Sequence, residues 1–263
     1  MKKKIALLLS VMMVASLCMV GCGSKDAKKE DKKVYAVEAG SAGEKVAKEK
    51  KWKTNSVAAQ ADALMEVKSG TSDAAIIDLL MAGAMIGEGT SYPNLKYTDK
   101  LTTEEYGVGC RKESNLAAYI NNFFADTYKS GEMKKIAEKY GVQEAIVEQK
   151  EANGDEIKDG DVKYIQDKGT LIVGITEFEP MDYKDKDGKW IGFDADMASL
   201  LAEKLGVEVK FVVIDWDTKA MELKLKNIDV VWNGMTLTDE VKNAMECTNA
   251  YCNNAQVVVV AAE

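Results

Sequence analysis

Short apolar runs alternate along the chain with longer stretches in which an apolar residue returns every three or four positions. The short runs predict buried β-strands, at 33–37, 74–77, 170–175, 207–214 and 228–232. The longer stretches predict amphipathic helices, from 44 onward and at 58–67, 116–128, 132–140, 194–205 and 218–225. This alternation favours an α/β fold with mostly parallel sheets and helices on both faces, in which ligands bind at the carboxyl ends of the strands.

The pattern divides the chain into two α/β segments joined by a polar linker. The helix end Glu66–Gly70 precedes the aspartate-led strand Asp73–Ile77, and Glu222–Asn227 precedes Asp229–Val231 in the same way. Two similar lobes would produce this repeat, although chance would also produce it. Residues 148–161 are rich in Glu, Lys, Asp and Gly and almost free of apolar side chains, which predicts a linker.

The first residues indicate export rather than a part of the fold. Three lysines precede the apolar run Ile5–Val20, which is too short and too interrupted for a comfortable transmembrane helix. The run leads into Gly21 and Cys22, which resemble a bacterial lipobox and imply lipidation of Cys22. Residues 1–22 are therefore predicted to be a lipoprotein signal peptide, and residues 23–32 a tether. A plain signal peptide or a membrane helix is the alternative.

The composition excludes several classes of function. The chain has 263 residues, a formal net charge of -8 and no histidine. The negative charge argues against nucleic acid as a partner, and the lack of histidine excludes Ser-His-Asp catalysis and histidine-ligated metal sites. We therefore predict no catalytic residue, no metal and no cofactor. Export permits a disulfide between Cys247 and Cys252; alternatively these cysteines and Cys110 are small buried hydrophobes.

Four motifs follow one another in the C-terminal part of the chain, at Gly169–Gly174, Asp187–Asp196, Asp215–Asp217 and Gly234–Glu240. In this order they resemble the polar-amino-acid branch of the periplasmic-type solute-binding proteins of ABC transporters, over residues 169–260. Residues 33–142 resemble the other lobe and the closing helices of that family. The resemblance implies a two-lobed periplasmic-binding-protein-like fold with a small-molecule ligand in the cleft between the lobes.

The order of the lobes differs from that of the family, so the chain is expected to be circularly permuted. The implied division is 33–105 for the second, smaller lobe, 106–147 for the hinge return and closing helices, 148–161 for the linker and 162–263 for the core of the first, larger lobe. A rearranged or truncated tandem gene and an engineered permutant are the alternatives. Permutation is expected to leave one of the family's two hinge crossings, near 98–110, and so to weaken binding.

The resemblance also implies how the main-chain groups of an amino acid would be held. The N–H groups of Ser41, Ala42 and Gly43 open a helix and would bind the carboxylate. Asp78 follows a buried strand and would accept hydrogen bonds from the ammonium. An ordinary strand–helix turn is the alternative at 41–43, and a helix N-cap or a surface aspartate is the alternative for Asp78.

Further implied ligand-binding positions come from the other lobe. Gly234 would offer a carbonyl to the ammonium, and Thr236 would offer a hydroxyl and an N–H to the carboxylate. Phe178 and Trp216 match the aromatic positions that sandwich the ligand side chain, and such rings also hold cations. Core packing is the alternative for both aromatic residues.

The charges near the implied cleft leave the ligand open. Glu177, Glu38 and Asp182 hint at a ligand with extra positive charge, although solvated surface acids are the alternative for each. Val241 stands where the family carries an arginine that binds the ligand carboxylate, which removes a contact worth about 2 kcal/mol or more. Helix donors or a lysine would then hold the carboxylate, or the ligand is not a standard α-amino acid.

These features together predict an exported, lipid-anchored, monomeric binding protein rather than an enzyme. It would capture a small polar molecule, an amino acid or similar ligand, outside the cell membrane and pass it to an ABC permease. A ligand-sensing module for a separate signalling partner is one alternative, and a lyase or dehydratase on the same scaffold is another. Saturable binding without turnover would separate a receptor from an enzyme.

Overall fold

The computed structural model describes residues 33–150 and 157–262. The predicted signal peptide, the lipidation site Cys22, the tether and the middle of the linker lie outside the described residues. Within the two ranges, the strands in chain order are β1 (Val34–Glu38), β2 (Lys53–Val57), β3 (Ala74–Asp78), β4 (Leu95–Lys100), β5 (Glu104–Cys110), β6 (Thr170–Ile175), β7 (Tyr183–Lys184), β8 (Trp190–Ile191), β9 (Glu208–Val213), β10 (Val230–Thr236), β11 (Glu246–Cys247), β12 (Cys252–Asn254) and β13 (Gln256–Ala261).

The helices of the same two ranges are α1 (Ala42–Glu49), α2 (Gln60–Ser69), α3 (Leu79–Met85), α4 (Leu116–Ser130), α5 (Glu132–Lys139), α6 (Gly160–Lys168), α7 (Phe193–Leu205), α8 (Lys219–Lys224) and α9 (Asp239–Ala244). Among these described helices, none combines the length and the apolar character needed to cross a membrane. Where α2 ends, Gly70 adopts a left-handed conformation with φ 77°, as the Lys-Ser-Gly sequence predicts.

The first sheet belongs to the small lobe, which we define as β1–β4, β13 and α1–α3. Its strand order is β2-β1-β3-β13-β4. β1 pairs in parallel with β2 and β3, whereas β13 runs antiparallel to β3 and β4. β3 is buried at every position from Ala74 to Asp78. Asp78 therefore sits at the carboxyl end of a central, apolar strand, as the sequence predicts.

The second sheet belongs to the large lobe, which we define as β5–β12 and α4–α9. Its strand order is β11-β5-β10-β6-β9, and β12 also pairs with β5. The closing helix α4 packs on this lobe through Phe124, whose ring centroid lies 5.5 Å from those of Trp232 and Tyr251. This aromatic cluster fixes the helices that follow the first crossing onto the sheet of the large lobe.

The α/β fold with two lobes is confirmed, although each sheet is mixed rather than mostly parallel. Strands joined by helices run parallel, as in β1-β2 and β6-β9, because a helix returns the chain to the same end of the sheet. The strands that carry the chain between the lobes run the other way. β5 is antiparallel to β10, and β13 is antiparallel to β3.

Within residues 33–150 and 157–262, the chain crosses between the lobes twice. Residues 101–103 join β4 to β5, and Ala255 joins β12 to β13. β12 pairs with β5 in the large lobe, while β13 pairs with β3 and β4 in the small lobe. The expectation of a single crossing is wrong, because residues 256–261 insert into the small-lobe sheet. The segment 162–263 therefore contributes to both lobes.

The three cysteines that the structure describes, Cys110, Cys247 and Cys252, are free thiols. Cys247 pairs with Gly109 on β5, and Cys252 pairs with Tyr106 on the same strand. Three residues along a strand span about 10 Å, which is farther than a disulfide allows. The sheet register therefore excludes a Cys247–Cys252 bond and leaves Cys252, like Cys110, as a buried small side chain.

Candidate functional site

A cavity of about 560 Å³ lies between the two lobes. Loops at the carboxyl ends of β1 and β3 line it from the small lobe, and loops after β6, β9 and β10 line it from the large lobe. Of the sequence-predicted ligand-binding residues, the structure places these at the cavity wall: Ser41, Ala42, Asp78, Phe178, Trp216, Gly234 and Thr236. Loops from distant parts of the chain thus meet around one space.

Two predicted site residues lie elsewhere. Gly43 is buried in α1, where an added Cβ would approach Gln256 Oε1 to 2.9 Å and the Ile76 carbonyl oxygen to 3.0 Å. Its small size lets α1 pack closely on the sheet. Glu177 lines a separate depression between the lobes together with Ala59 and Trp190, because the chain turns away from the cavity before Phe178 turns back into it.

The start of α1 faces the cavity, but its first turn is already partly occupied. Ser41 Oγ accepts a hydrogen bond from the Glu44 N–H at 3.1 Å, and Glu44 Oε2 accepts one from the Gly40 N–H at 3.0 Å. Glu44 also pairs with Lys48 at 2.9 Å. The Glu44 carboxylate offsets part of the partial positive charge at the start of α1. The N–H groups that remain free there therefore form a weaker anion site than the sequence predicts.

Lysine side chains of α1 and Val241 of α9 line the same cavity. Val241 lines the cavity from α9, as its position in the sequence predicts. Lys45 and Lys48 line the cavity from α1, and Lys45 is exposed. A ligand carboxylate at the start of α1 would therefore meet an ammonium group from the same helix.

Asp78 is buried and accepts hydrogen bonds from both lobes. Oδ1 accepts from Tyr106 Oη at 2.7 Å, from Gln256 Nε2 at 2.9 Å and from Asn254 Nδ2, and Oδ2 accepts from Gln60 Nε2. Burial, followed by the charge of Glu104, raises the pKa of Asp78 to about 7. Oδ1 is fully engaged by the protein, and Oδ2 retains room for one further donor.

Glu38 lies at the end of β1 and lines the same cavity. The side chain is 2% exposed, and Oε1 has no hydrogen-bond partner among the described residues. Burial, followed by the charge of Asp78, raises the pKa of Glu38 to about 8, while Thr176, Lys219 and Gln60 act in the opposite direction. The cavity thus contains a buried carboxyl group that the protein does not fully satisfy.

The two aromatic residues predicted from the sequence, Phe178 and Trp216, both line the cavity. Phe178 is 2% exposed and meets Tyr106 edge to face, with ring centroids 6.3 Å apart. An added Cβ at Gly234 would lie 2.5 Å from Phe178 Cε1, so the absence of a side chain there lets this ring stand beside β10. Trp216 is 7% exposed and carries Lys219 Nζ over its ring at 4.8 Å.

Lys219 lines the cavity and bridges the two lobes. Its Nζ donates to the carbonyl oxygens of Trp216 at 2.8 Å and of Gly40 at 3.1 Å. Gly40 is so close to the large lobe that an added Cβ would lie 2.5 Å from Asp217 Cα. The structure is therefore a closed arrangement of the two lobes.

Two polar groups of β10 that were expected to bind a ligand form hydrogen bonds within the protein. The Gly234 N–H donates to Asp194 Oδ2 at 2.7 Å, and Thr236 Oγ1 donates to Glu104 Oε2 at 3.0 Å. Asp182, predicted near the cleft, is instead fully buried behind it beside Asp194. The Thr236 hydroxyl, which the sequence analysis expects to bind a ligand carboxylate, therefore donates its hydrogen bond to Glu104 on β5.

Sequence reasoning missed Gln60, Lys219 and Asn233, which line the cavity. Gln60 and Lys219 stand near the starts of helices, where a polar residue is ordinary, and Asn233 sits within a buried strand. A polar residue inside such a strand is a usable signal, and Asn233 indeed holds the Thr176 N–H at 2.9 Å. Across the described residues, no group of three or more acidic or cysteine side chains is arranged to hold a metal ion.

Part of the chain matches a known protein family. Residues 171–263 match the model of the bacterial extracellular solute-binding proteins, family 3. Phe178, Trp216 and Gly234 all fall within this matched segment, whereas Glu38 and Asp78 lie outside it.

Curated relatives match about a third of the chain. The chain is similar to the L-cystine-binding protein TcyJ of Escherichia coli K12, with 35% identity over 94 residues that cover 35% of each chain. It is similar to the L-arginine-binding protein of Pseudomonas aeruginosa, with 34% identity over 90 residues, 34% of this chain and 35% of that one. A probable amino-acid ABC transporter-binding protein of Haemophilus influenzae is 36% identical over 92 residues, 34% of this chain and 35% of that one. The match spans about a third of the length of these relatives, which are binding proteins rather than enzymes.

Proposed function

We propose that this chain is an extracytoplasmic solute-binding protein that closes its two lobes around a small polar ligand, an amino acid, and presents it to an ABC importer. The observation that carries the proposal is the cavity of about 560 Å³, to which both lobes bring the carboxyl ends of their strands. A space of this size suits a small ligand.

The cavity offers complementary groups to each part of an amino acid. Asp78 Oδ2 is available to an ammonium group, since it accepts from Gln60 alone among the described residues. Lys45 and the start of α1 are available to a carboxylate. Phe178 and Trp216 provide apolar faces for a side chain.

The relatives support the amino-acid class and the transport role. TcyJ is named as a cystine-binding protein and the Pseudomonas protein as an arginine-binding protein. The Haemophilus protein is named as a probable amino-acid ABC transporter-binding protein. Closure around the ligand would give a permease a surface that the open state lacks. Lipid anchoring at Cys22, a monomeric state and a circularly permuted order of the lobes complete the proposal.

A thermal-shift screen with the common amino acids and cystine tests the proposal. A ligand at about a hundred times its dissociation constant should add about 2.7 kcal/mol of stability. Asp78→Asn should weaken the best ligand at least about tenfold because it removes the charge that faces the ammonium. Asp126→Asn, on the exposed side of α4, is the matched control.

Two results would contradict the proposal. One is the absence of a shift with any amino acid. The other is the appearance of a new product when the best ligand is incubated with the chain and recovered for mass spectrometry, which would indicate the lyase or dehydratase alternative.

A further inference from the structure

The cavity holds two buried carboxyl groups whose surroundings differ. Asp78 accepts hydrogen bonds from Gln60, Tyr106, Asn254 and Gln256. Glu38, at the end of the neighbouring strand, leaves Oε1 without a partner among the described residues. Buried polar atoms of native proteins almost always have a partner, so an open acceptor in a cavity wall indicates the place of a ligand donor.

Lys219, whose charge acts on Glu38, does not fill that place. Lys219 faces Glu38 closely enough to influence its pKa, but its Nζ donates to the carbonyl oxygens of Gly40 and Trp216. Lys219 therefore ties the two lobes together rather than capping the Glu38 carboxyl group. A buried carboxylate that is not paired within the protein is costly, and a ligand cation would remove that cost.

The remaining charges of the cavity act in the same direction. The acidic residues that line it are Glu38, Glu44, Glu49, Asp78, Asp217 and Glu240. The basic residues that line it are Lys45, Lys48 and Lys219. Acidic side chains outnumber basic ones, so the field inside the cavity favours a ligand whose net charge is positive.

We infer that Glu38 binds a positively charged group on the ligand side chain, a guanidinium or an ammonium, and thereby restricts the site to cationic amino acids. This inference rests on the proposed function. Asp78 would serve the α-ammonium and Glu38 the second cation, so the ends of β1 and β3 would hold the two positive groups of one ligand. A neutral side chain of the same shape would bring no positive charge to the buried Glu38 carboxyl group, even where it keeps an N–H donor.

Matched ligand pairs test the inference. Arginine is compared with citrulline, which replaces the guanidinium by an uncharged urea, and lysine with norleucine, by isothermal titration at pH 8. The chain should bind arginine or lysine at least about 100-fold more tightly than its neutral partner, because citrulline keeps N–H donors but loses the charge that pairs with Glu38, and norleucine loses both the donor and the charge. Glu38→Gln should reduce that preference below about tenfold.

Control measurements separate recognition from folding. Glu177→Gln removes a carboxylate from a neighbouring depression and should retain the full preference. Glu38→Gln should have a thermal midpoint at least as high as the unmodified chain, because it removes a buried carboxylate with an unpaired oxygen. The comparison of cationic and neutral ligands on the unmodified chain does not depend on how any variant folds.

Each outcome bears on a different claim. Tight binding of citrulline or norleucine by the unmodified chain overturns the inference and leaves the proposed function intact. A 100-fold preference that persists in Glu38→Gln overturns the role of Glu38. Binding of no amino acid at all overturns the proposed function and this inference together.

Discussion

Binding of a cationic amino acid should become tighter as the pH rises from about 6 to about 8. In the empty cavity, burial and then the charge of Asp78 raise the pKa of Glu38 to about 8. A guanidinium group binds only the ionised carboxyl, so the proton must leave first. The apparent dissociation constant is therefore multiplied by a factor that falls from about 100 at pH 6 to about 2 at pH 8, an increase in affinity of about 50-fold.

Other groups facing Glu38 also titrate, and a variant separates their effects. Burial and then the charge of Glu104 raise the pKa of Asp78 to about 7, which alone would give a rise in affinity of about tenfold over the same range. Burial lowers the pKa of Lys219, against the charge of Glu38. Asp78 and Lys219 are present in both proteins, so their titration affects both equally. The rise in affinity between pH 6 and pH 8 should therefore be about 50-fold larger for the unmodified chain than for Glu38→Gln.

The assay is isothermal titration of arginine into the unmodified chain and Glu38→Gln at pH 6, 7 and 8. Each titration is repeated in two buffers of different ionisation enthalpy, which gives the number of protons released. The guanidinium keeps its charge throughout, since its pKa exceeds 12. We expect about one additional proton released per arginine from the unmodified chain near pH 6. Equal release by both proteins, or equal pH dependence of their affinities, would refute the reasoning.

Three further outcomes are expected from the closed arrangement and the buried acids. Gly40→Ala places a Cβ 2.5 Å from the main chain of the facing lobe and should lower ligand affinity at least about tenfold by tryptophan fluorescence, whereas Gly70→Ala, at a similar φ of +77° with open space around it, should leave it unchanged. Lys219→Met removes the interlobe contact at 3.1 Å and should increase the radius of gyration of the empty chain in X-ray scattering; an unchanged radius would contradict this role. Burial raises the pKa values of Asp182 and Asp194 above that of an unfolded aspartate, so the folded state holds more protons and its free energy of unfolding should fall between about pH 4 and pH 7; Asp182→Asn should reduce that fall by about 1 kcal/mol or more in urea denaturation, and an identical slope would show that the pair is not responsible.

The parts of the fold that the sequence predicts are those with strong local patterns. β3 and β6 are continuous apolar runs, and the helices Leu116–Ser130 and Phe193–Leu205 carry clear apolar spacing. β4 escaped notice because only Leu95 among its residues is buried, so the strand has no apolar pattern to read. Its place in the sheet comes from pairing with β13, more than 150 residues away in sequence.

Site residues could be predicted where they follow a recognisable strand or match a motif of the family. Asp78, Phe178 and Gly234 were found in this way, and the structure brings them to one cavity. The hydrogen-bond partners and pKa of each side chain were not predictable, because they depend on residues that meet only in the folded chain. Asn254, which donates a hydrogen bond to Asp78, is 176 residues away in sequence.

The two crossings explain how the cavity can open without breaking the hydrogen bonds of Asp78. Asp78, Tyr106 and Gln256 meet where β5 and β13 pass between the lobes, so their hydrogen bonds lie near the axis about which the lobes would turn. A second interlobe contact joins other elements, since Lys219 Nζ on α8 reaches the Gly40 carbonyl oxygen after β1 at 3.1 Å. A rotation about the crossings would break this Lys219 contact and preserve the hydrogen bonds of Asp78. A ligand that satisfies Glu38 from within would then supply the differential free energy that favours the closed state.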